Sequence, residues 1–148
     1  MKAVIQRVEH ASVEILNRER RSIGKGMLVL LGVGRQDGPE DINWLARKTA
    51  SLRLFEDAEG RVNLTNVDAD VLVVSQFTLL ASTRKGSRPS FDPAAPPEMA
   101  ASLYESFIEK LSELLGQPIV TGDFGAKMRV SLVNDGPFTL ILDSKLRE

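Results

Sequence analysis

The chain has 148 residues, 43% hydrophobic and 26% charged, with 19 basic against 20 acidic side chains and a net charge of -1. That is enough chain for one domain, residues 1–148, and a composition near the globular average excludes both disorder and a membrane span; the longest apolar run, MLVLLGV, is far too short to cross a bilayer. The absence of cysteine excludes disulfides and thiolate chemistry, and with no secretory leader at MKAVIQRVEH a cytoplasmic location is expected.

In chain order, KAVIQRV and ASVEIL are rich in β-branched residues and predict two strands, with NRER turning the chain before RSI. Gly24-Lys25-Gly26 turns it again into MLVLLGV, whose lack of alternation predicts a strand buried on both faces. Gly38-Pro39 is a good helix entry, and Ile42, Leu45, Ala46, Thr49 and Leu52 follow at helical spacing, with Trp44 beside them. A short RLF, the turn DAEG and a second apolar run, VLVVSQFTLL, come next; the last predicts a central strand.

From Ala81 to Pro97 the sequence becomes a long loop of Ser, Thr, Pro, Gly and basic residues, the kind that is often functional or mobile. A helix is predicted from about Glu98 to Leu115, with Met99, Leu103, Phe107, Leu111 and Leu114 on one face and Gly116 as its stop. PIVTG, AKMRVSLV and FTLILD predict closing strands, the last two joined by a turn at Asn134-Asp135-Gly136-Pro137. The fold class expected is mixed α and β, two amphipathic helices covering mixed or antiparallel sheet.

Most chemical motifs fail on inspection. GVGRQD has Asp37 where a dinucleotide fingerprint needs its third glycine, and too few βαβ units follow. Ser82-Thr83-Arg84-Lys85 matches Ser-x-x-Lys, but the partner motifs of penicillin-binding enzymes are missing. Asn63-Leu64-Thr65 is a glycosylation acceptor only in a secreted protein. The one histidine, His10, falls in the expected first turn and supports neither a metal site nor a Ser-His-Asp triad. No metal or cofactor is implied.

Three features remain. In SQFTL, Ser75 to Leu79, a buried strand turns polar; its hydroxyls could simply satisfy backbone bonds, or the strand end could aim rigid N–H groups at a developing oxyanion. In Asn134-Asp135-Gly136-Pro137 the first residues are turn chemistry, while the proline removes a donor where the following strand should pair. In STRKGSRPSF, Arg84, Lys85 and Arg88 make a local basic patch ending in Phe91, either a solvated loop or a nucleic-acid contact.

Together SQFTL and NDGPFT resemble the two signature motifs of the D-aminoacyl-tRNA deacylase family. AVIQRV, GMLVLLGV, DAEGRVNL, RPSF and TGDFGAKMRVSLVNDGP are similar to that family in the same order, so the resemblance covers nearly the whole chain. One departure is NLTNVDADVLVV, which is shorter than the family's usual connection before the central strand. The resemblance implies a three-layer β/β/α domain and a homodimer that hydrolyses the ester between a D-amino acid, or glycine, and the 3′-terminal adenosine of tRNA.

It further implies that a cis Gly136-Pro137 element is inserted into the partner subunit's site as a chiral gate, whose carbonyls hold the substrate α-ammonium while the proline excludes an L side chain. Ser75, Gln76, Phe77 and Thr78 match the motif whose backbone N–H groups polarise the ester carbonyl, with the ribose 2′-OH and water doing the chemistry. Thr78 is alternatively a covalent nucleophile. Arg7 matches an arginine beside the Gly-Pro element, and Phe124 and Met128 match the adenosine pocket. The non-enzymatic alternative is a dimeric module that binds RNA ends without cutting.

Overall fold

The computed structural model describes residues 1–16, 18–66 and 68–147. Its elements are β1 (Lys2–Ile15), β2 (Glu19–Ile23), β3 (Gly26–Gly32), α1 (Pro39–Ser51), β4 (Phe55–Glu56), β5 (Val62–Leu64) and β6 (Asp70–Ser75). A 3-10 turn (Phe77–Leu80), α2 (Pro97–Leu115), β7 (Val120–Thr121) and β8 (Met128–Asp143) complete the chain. The main sheet runs β2-β1-β3-β6-β7, with β8 on the other edge of β1; β3–β6 and β6–β7 are parallel and the remaining pairs antiparallel. This is the mixed α and β architecture that the sequence predicts.

β3 and β6 are buried on both faces because their alternate residues enter two different cores. Met27, Val29, Leu31, Val71 and Val73 face the helices with Leu45, Tyr104, Phe107 and Leu111. Leu28, Leu72 and Val74 face a second cluster with Val8, Val13 and Ile23 that contains no helical residue. Each fully buried aliphatic side chain here contributes roughly 1.5–3 kcal/mol. β2 touches β6 and β7 without pairing with them, so the far end of β1 and its partner β2 fold back over the sheet as a second β layer. Helices, sheet and this returning layer make the β/β/α stack.

β1 makes that return possible, and here the structure corrects the sequence reading. KAVIQRV and ASVEIL are one continuous strand, and His10 is an exposed residue within it instead of a turn residue. Its pairing with β8 shifts between Val8 and His10. Ala3 and Ile5 face the helical core, whereas Ala11 and Val13, also odd-numbered, face the other. One extra residue in a bulge flips the parity of everything beyond it and strengthens the local twist. The NRER turn includes Asn17, which lies outside the described residues, as does Val67 in the connection NLTNVDADVLVV.

A second correction concerns Asn134-Asp135-Gly136-Pro137. It is no hairpin turn: β8 runs from Met128 to Asp143 and stays on β1 throughout, Val8 opposite Asn134 and Gln6 opposite Thr139. Residues 135–138 therefore bulge out of a strand that resumes pairing on both sides, which accommodates a proline that has no ladder hydrogen to give. The Gly136-Pro137 peptide is cis.

The helices follow their sequence signals with small shifts. α1 has Pro39 at its first position, and the Gly38 N–H donates to Asp41 Oδ2 at 2.9 Å. Burial would raise the Asp41 pKa, but hydrogen bonds from Ser144, Lys145 and the Gly38 N–H outweigh it and hold the carboxyl at about 2. α2 starts at Pro97 and ends on Gly116 in the left-handed region at φ 66°. Its buried stripe is Ala100, Tyr104, Phe107 and Leu111, while Leu114 is exposed; the sequence reading set the stripe partly on Met99 and Leu103, which are half-buried. Among the described residues no helix is long and apolar enough to cross a membrane.

Candidate functional site

The expected strand VLVVSQFTLL stops at Ser75, where the chain folds into the 3-10 turn Phe77–Leu80. The Gln76 N–H donates to Leu31 O at 2.7 Å, continuing the ladder one step, and the Leu79 N–H closes the turn on Gln76 O at 3.2 Å. Between them the N–H groups of Phe77 and Thr78 have no partner among the described residues, as the first donors of a helical turn normally lack one. Gly32 lies directly beneath: a Cβ there would stand 2.9 Å from Gln76 O and 3.1 Å from Leu79 Cβ.

This turn forms one wall of a cavity of about 740 Å³. Ser75, Gln76 and Phe77 line it together with Phe124 and Met128, so five residues picked out from the sequence meet at one place. Phe77 is 55% exposed and stands edge-on to Phe91, ring centroids 5.0 Å apart. Thr78 is exposed, is not among the lining residues, and its hydroxyl accepts a hydrogen bond from the Gln76 amide.

On the opposite wall, Phe124 sits on the turn after β7, where the Ala126 N–H bonds Asp123 O at 3.2 Å. Arg21 of β2 holds that turn by donating to Thr121 O at 2.7 Å and Asp123 Oδ1 at 3.0 Å. Tyr104 backs the ring of Phe124 at a centroid distance of 5.7 Å and donates its hydroxyl to Val73 O at 3.1 Å. Burial pushes its phenol pKa up, so it stays neutral. Sequence reasoning missed Tyr104, although its spacing to Ala100, Phe107 and Leu111 was a usable signal for the same helix face.

Arg7, Gly136 and Pro137 lie elsewhere, and none of them lines the cavity. Arg7 is only 5% exposed and anchors the root of the β8 bulge. Its guanidinium donates to Leu54 O at 2.7 Å and to Asp135 O at 3.2 Å, pairs with Asp135 Oδ2 at 3.0 Å and stacks over Phe138 at 4.5 Å. The Asn134 amide closes the neck by donating to Arg7 O at 2.9 Å and Phe138 O at 3.1 Å. Gly136 and Pro137 project beyond this clamp as exposed residues.

Chemically, the cavity combines aromatic walls, which suit a planar base, with free backbone donors at its rim, which suit an oxygen gaining negative charge. No group of three or more metal-ligating side chains occurs among the described residues.

A family model described as D-Tyr-tRNA(Tyr) deacylase matches residues 4–143. The chain is 57% identical over 150 residues to a D-aminoacyl-tRNA deacylase of Opitutus terrae, and 51% identical over 150 residues to one of Bacteroides thetaiotaomicron, with 100% of both partners covered in each case. A solved structure described as c-Myc DNA Unwinding Element Binding Protein is similar at TM-score 0.89 and 41% identity, covering 97% of this chain and 98% of that one. A second, described as a probable eukaryotic D-amino acid tRNA deacylase, shares the fold at TM-score 0.78 and 17% identity, with 95% and 97% covered.

Proposed function

The chain belongs to the D-Tyr-tRNA(Tyr) deacylase family, hydrolases of ester bonds, and on that premise we propose that it cleaves the ester joining a D-amino acid, or glycine, to the 3′-terminal adenosine of tRNA. The adenine enters between Phe124 and the 3-10 turn, against Met128. The ester carbonyl then lies at the Phe77 and Thr78 N–H groups. Water, oriented by the ribose 2′-OH, attacks the carbonyl carbon; negative charge collects on the carbonyl oxygen, and the bond to the ribose 3′-oxygen breaks as that oxygen takes, by way of the 2′-OH, the proton the water gives up. Removing one such donor typically costs about 100-fold or more in rate. Water and the substrate's own hydroxyl supply the reacting groups, so no side-chain base is needed.

Selectivity comes from a second copy of the chain. Carbonyls of the partner's Gly136 and Pro137 hold the α-ammonium, and the proline occupies the volume an L side chain would need. A gate of backbone and shape ignores which D side chain is present. The main support is the pair of N–H groups without a partner among the described residues beside an aromatic cavity, in a chain whose Gly136 and Pro137 do not line that same cavity. The test is hydrolysis of D-tyrosyl-tRNA against L-tyrosyl-tRNA: rapid loss of the D ester with the L ester intact is expected, and equal rates, or no cleavage of the D ester, would refute the proposal.

A second reading, a dimeric module that holds nucleic-acid ends without cutting, has support from the 41% identity to a structure described as a DNA-unwinding-element binding protein. Tight binding of uncharged tRNA with no ester cleavage would favour it.

A further inference from the structure

The loop 82–90 stands apart from the proposed reaction and has its own design. Reciprocal backbone bonds, Ser82 N–H to Ser90 O at 2.8 Å and Ser90 N–H to Ser82 O at 2.9 Å, close its base. Gly86 turns its tip in the left-handed region at φ 67°, a conformation that costs glycine little. Residues 83–89 are all exposed. The loop carries Arg84, Lys85 and Arg88 and no acidic residue, in a chain whose net charge is -1, so the rest of the molecule is net acidic.

Elsewhere Arg7, Arg21, Arg61, Lys110, Lys145 and Arg147 each pair with a carboxylate, and the other cations without a side-chain partner among the described residues, Lys25, Arg47, Lys48, Lys127 and Arg129, fall at most two to a segment instead of three within five residues. Among the described residues Arg84, Lys85 and Arg88 make no ion pair and no side-chain hydrogen bond. The base of the loop is also the rim of the cavity. Ser90 is followed by Phe91, whose ring meets Phe77, and Arg35, which lines the cavity, donates from Nε to Asp92 O. Three free cations thus rise from an aromatic entrance.

We propose that this loop grips the phosphodiester backbone of the single-stranded RNA end whose last nucleotide enters the cavity. Single-strand sites pair a cationic track for phosphates with aromatic faces for bases, and both elements adjoin here. At physiological salt a charge is felt over only about 8 Å, so three cations serve a strand only where it passes close by, as it must at the cavity mouth. The proposal takes the RNA substrate from the hydrolase reading; the grip itself can be measured without any hydrolysis.

The experiment compares the wild type with Arg84→Ala/Lys85→Ala/Arg88→Ala, and with Arg84→Lys/Arg88→Lys, which keeps the charge. Binding of uncharged tRNA and KM for D-tyrosyl-tRNA are followed as salt rises, with D-tyrosyl-adenosine, which has no phosphate, as the control substrate. Each phosphate contact to a single strand contributes a slope of about 0.7 in log affinity against log salt, so three lost contacts flatten the dependence by about 2, equivalent to roughly 20-fold between 50 and 200 mM salt. The triple alanine variant should show weaker tRNA binding, raised KM and this flatter slope, with D-tyrosyl-adenosine turnover unchanged; the lysine variant should keep the wild-type slope.

An unchanged slope and affinity in the triple variant would overturn the grip, whatever the hydrolysis assays show. If the wild type cleaves neither D ester yet the triple variant still binds tRNA more weakly with the flatter slope, the grip stands and the hydrolase reading falls.

Discussion

At Thr78 the side chain and the backbone have separate fates. The hydroxyl is bonded by the Gln76 amide and Thr78 is not among the residues lining the cavity, while its N–H has no partner among the described residues. Loss of a true nucleophile from a hydrolase typically costs on the order of 10⁶-fold. Under the proposed mechanism Thr78→Ala should instead keep kcat for D-tyrosyl-tRNA within about 10-fold, because the oxyanion donors are main chain. The complementary change is Phe77→Pro, judged against Phe77→Ala. Proline deletes one N–H at the first position of the turn, where it is otherwise tolerated, and Gln76 before it is already non-helical at φ -146°. A further loss of about 100-fold in kcat beyond the alanine variant is expected. Inactive Thr78→Ala with normal thermal stability, or Phe77→Pro no worse than Phe77→Ala, would argue for side-chain catalysis.

Among the elements, those whose role depends on local pattern were legible in the sequence: the doubly buried run of β3, the central strand β6 as far as Ser75, the Gly-Pro entry of α1 and the Gly116 stop of α2. The elements misread depend on long-range pairing. Asn-Asp-Gly has the chemistry of a turn whether the flanking strands pair with each other or both continue along a third. Only β1, more than a hundred residues away in sequence, decides for the second. The parity flip in β1 is likewise invisible locally, since the bulge shows itself only through the cores that its two halves enter. The cavity was half legible: Ser75 to Phe77, Phe124 and Met128 carried motif signals, whereas Tyr104 owes its place to packing between α2 and β6. Packing also makes β3 a support for the 3-10 turn that the proposed mechanism uses. Gly32→Ala would press a methyl group against Gln76 O, a main-chain atom that cannot rotate away. Overpacking of this kind costs about 1–3 kcal/mol, and a shift of about 1 Å in the reacting groups can cost about 100-fold in rate. The expected result is a modest fall in melting temperature with a kcat reduced at least about 10-fold; wild-type kcat in a folded Gly32→Ala enzyme would uncouple β3 from the site.

For the whole molecule, Gly136 and Pro137 do not line the cavity, so the proposed gate needs a route to a site. Within one chain the bulge is pinned at its root by Arg7 and Asn134, and its tip, Gly136 and Pro137, is exposed. Among the described residues β8, which bears it, pairs only with β1 and leaves its other edge open along the strand, with Ile141 77% exposed. Such an edge is a template for a further chain, and a twofold pair that used it would use the same patch on both subunits. If each gate serves the other chain's cavity, two different defects should complement. Pro137→Ala loosens the backbone whose carbonyls are proposed to hold the α-ammonium, and Phe77→Pro removes an oxyanion donor, so either homodimer should hydrolyse D-tyrosyl-tRNA poorly. In a heterodimer isolated with two tags, the Pro137→Ala chain keeps its donors and receives the intact gate of the Phe77→Pro chain. That single restored site should give about half the wild-type rate per dimer. A gate acting on its own chain leaves both sites of the heterodimer defective, so a heterodimer no faster than its parents, or a fully active monomer, would refute the exchange.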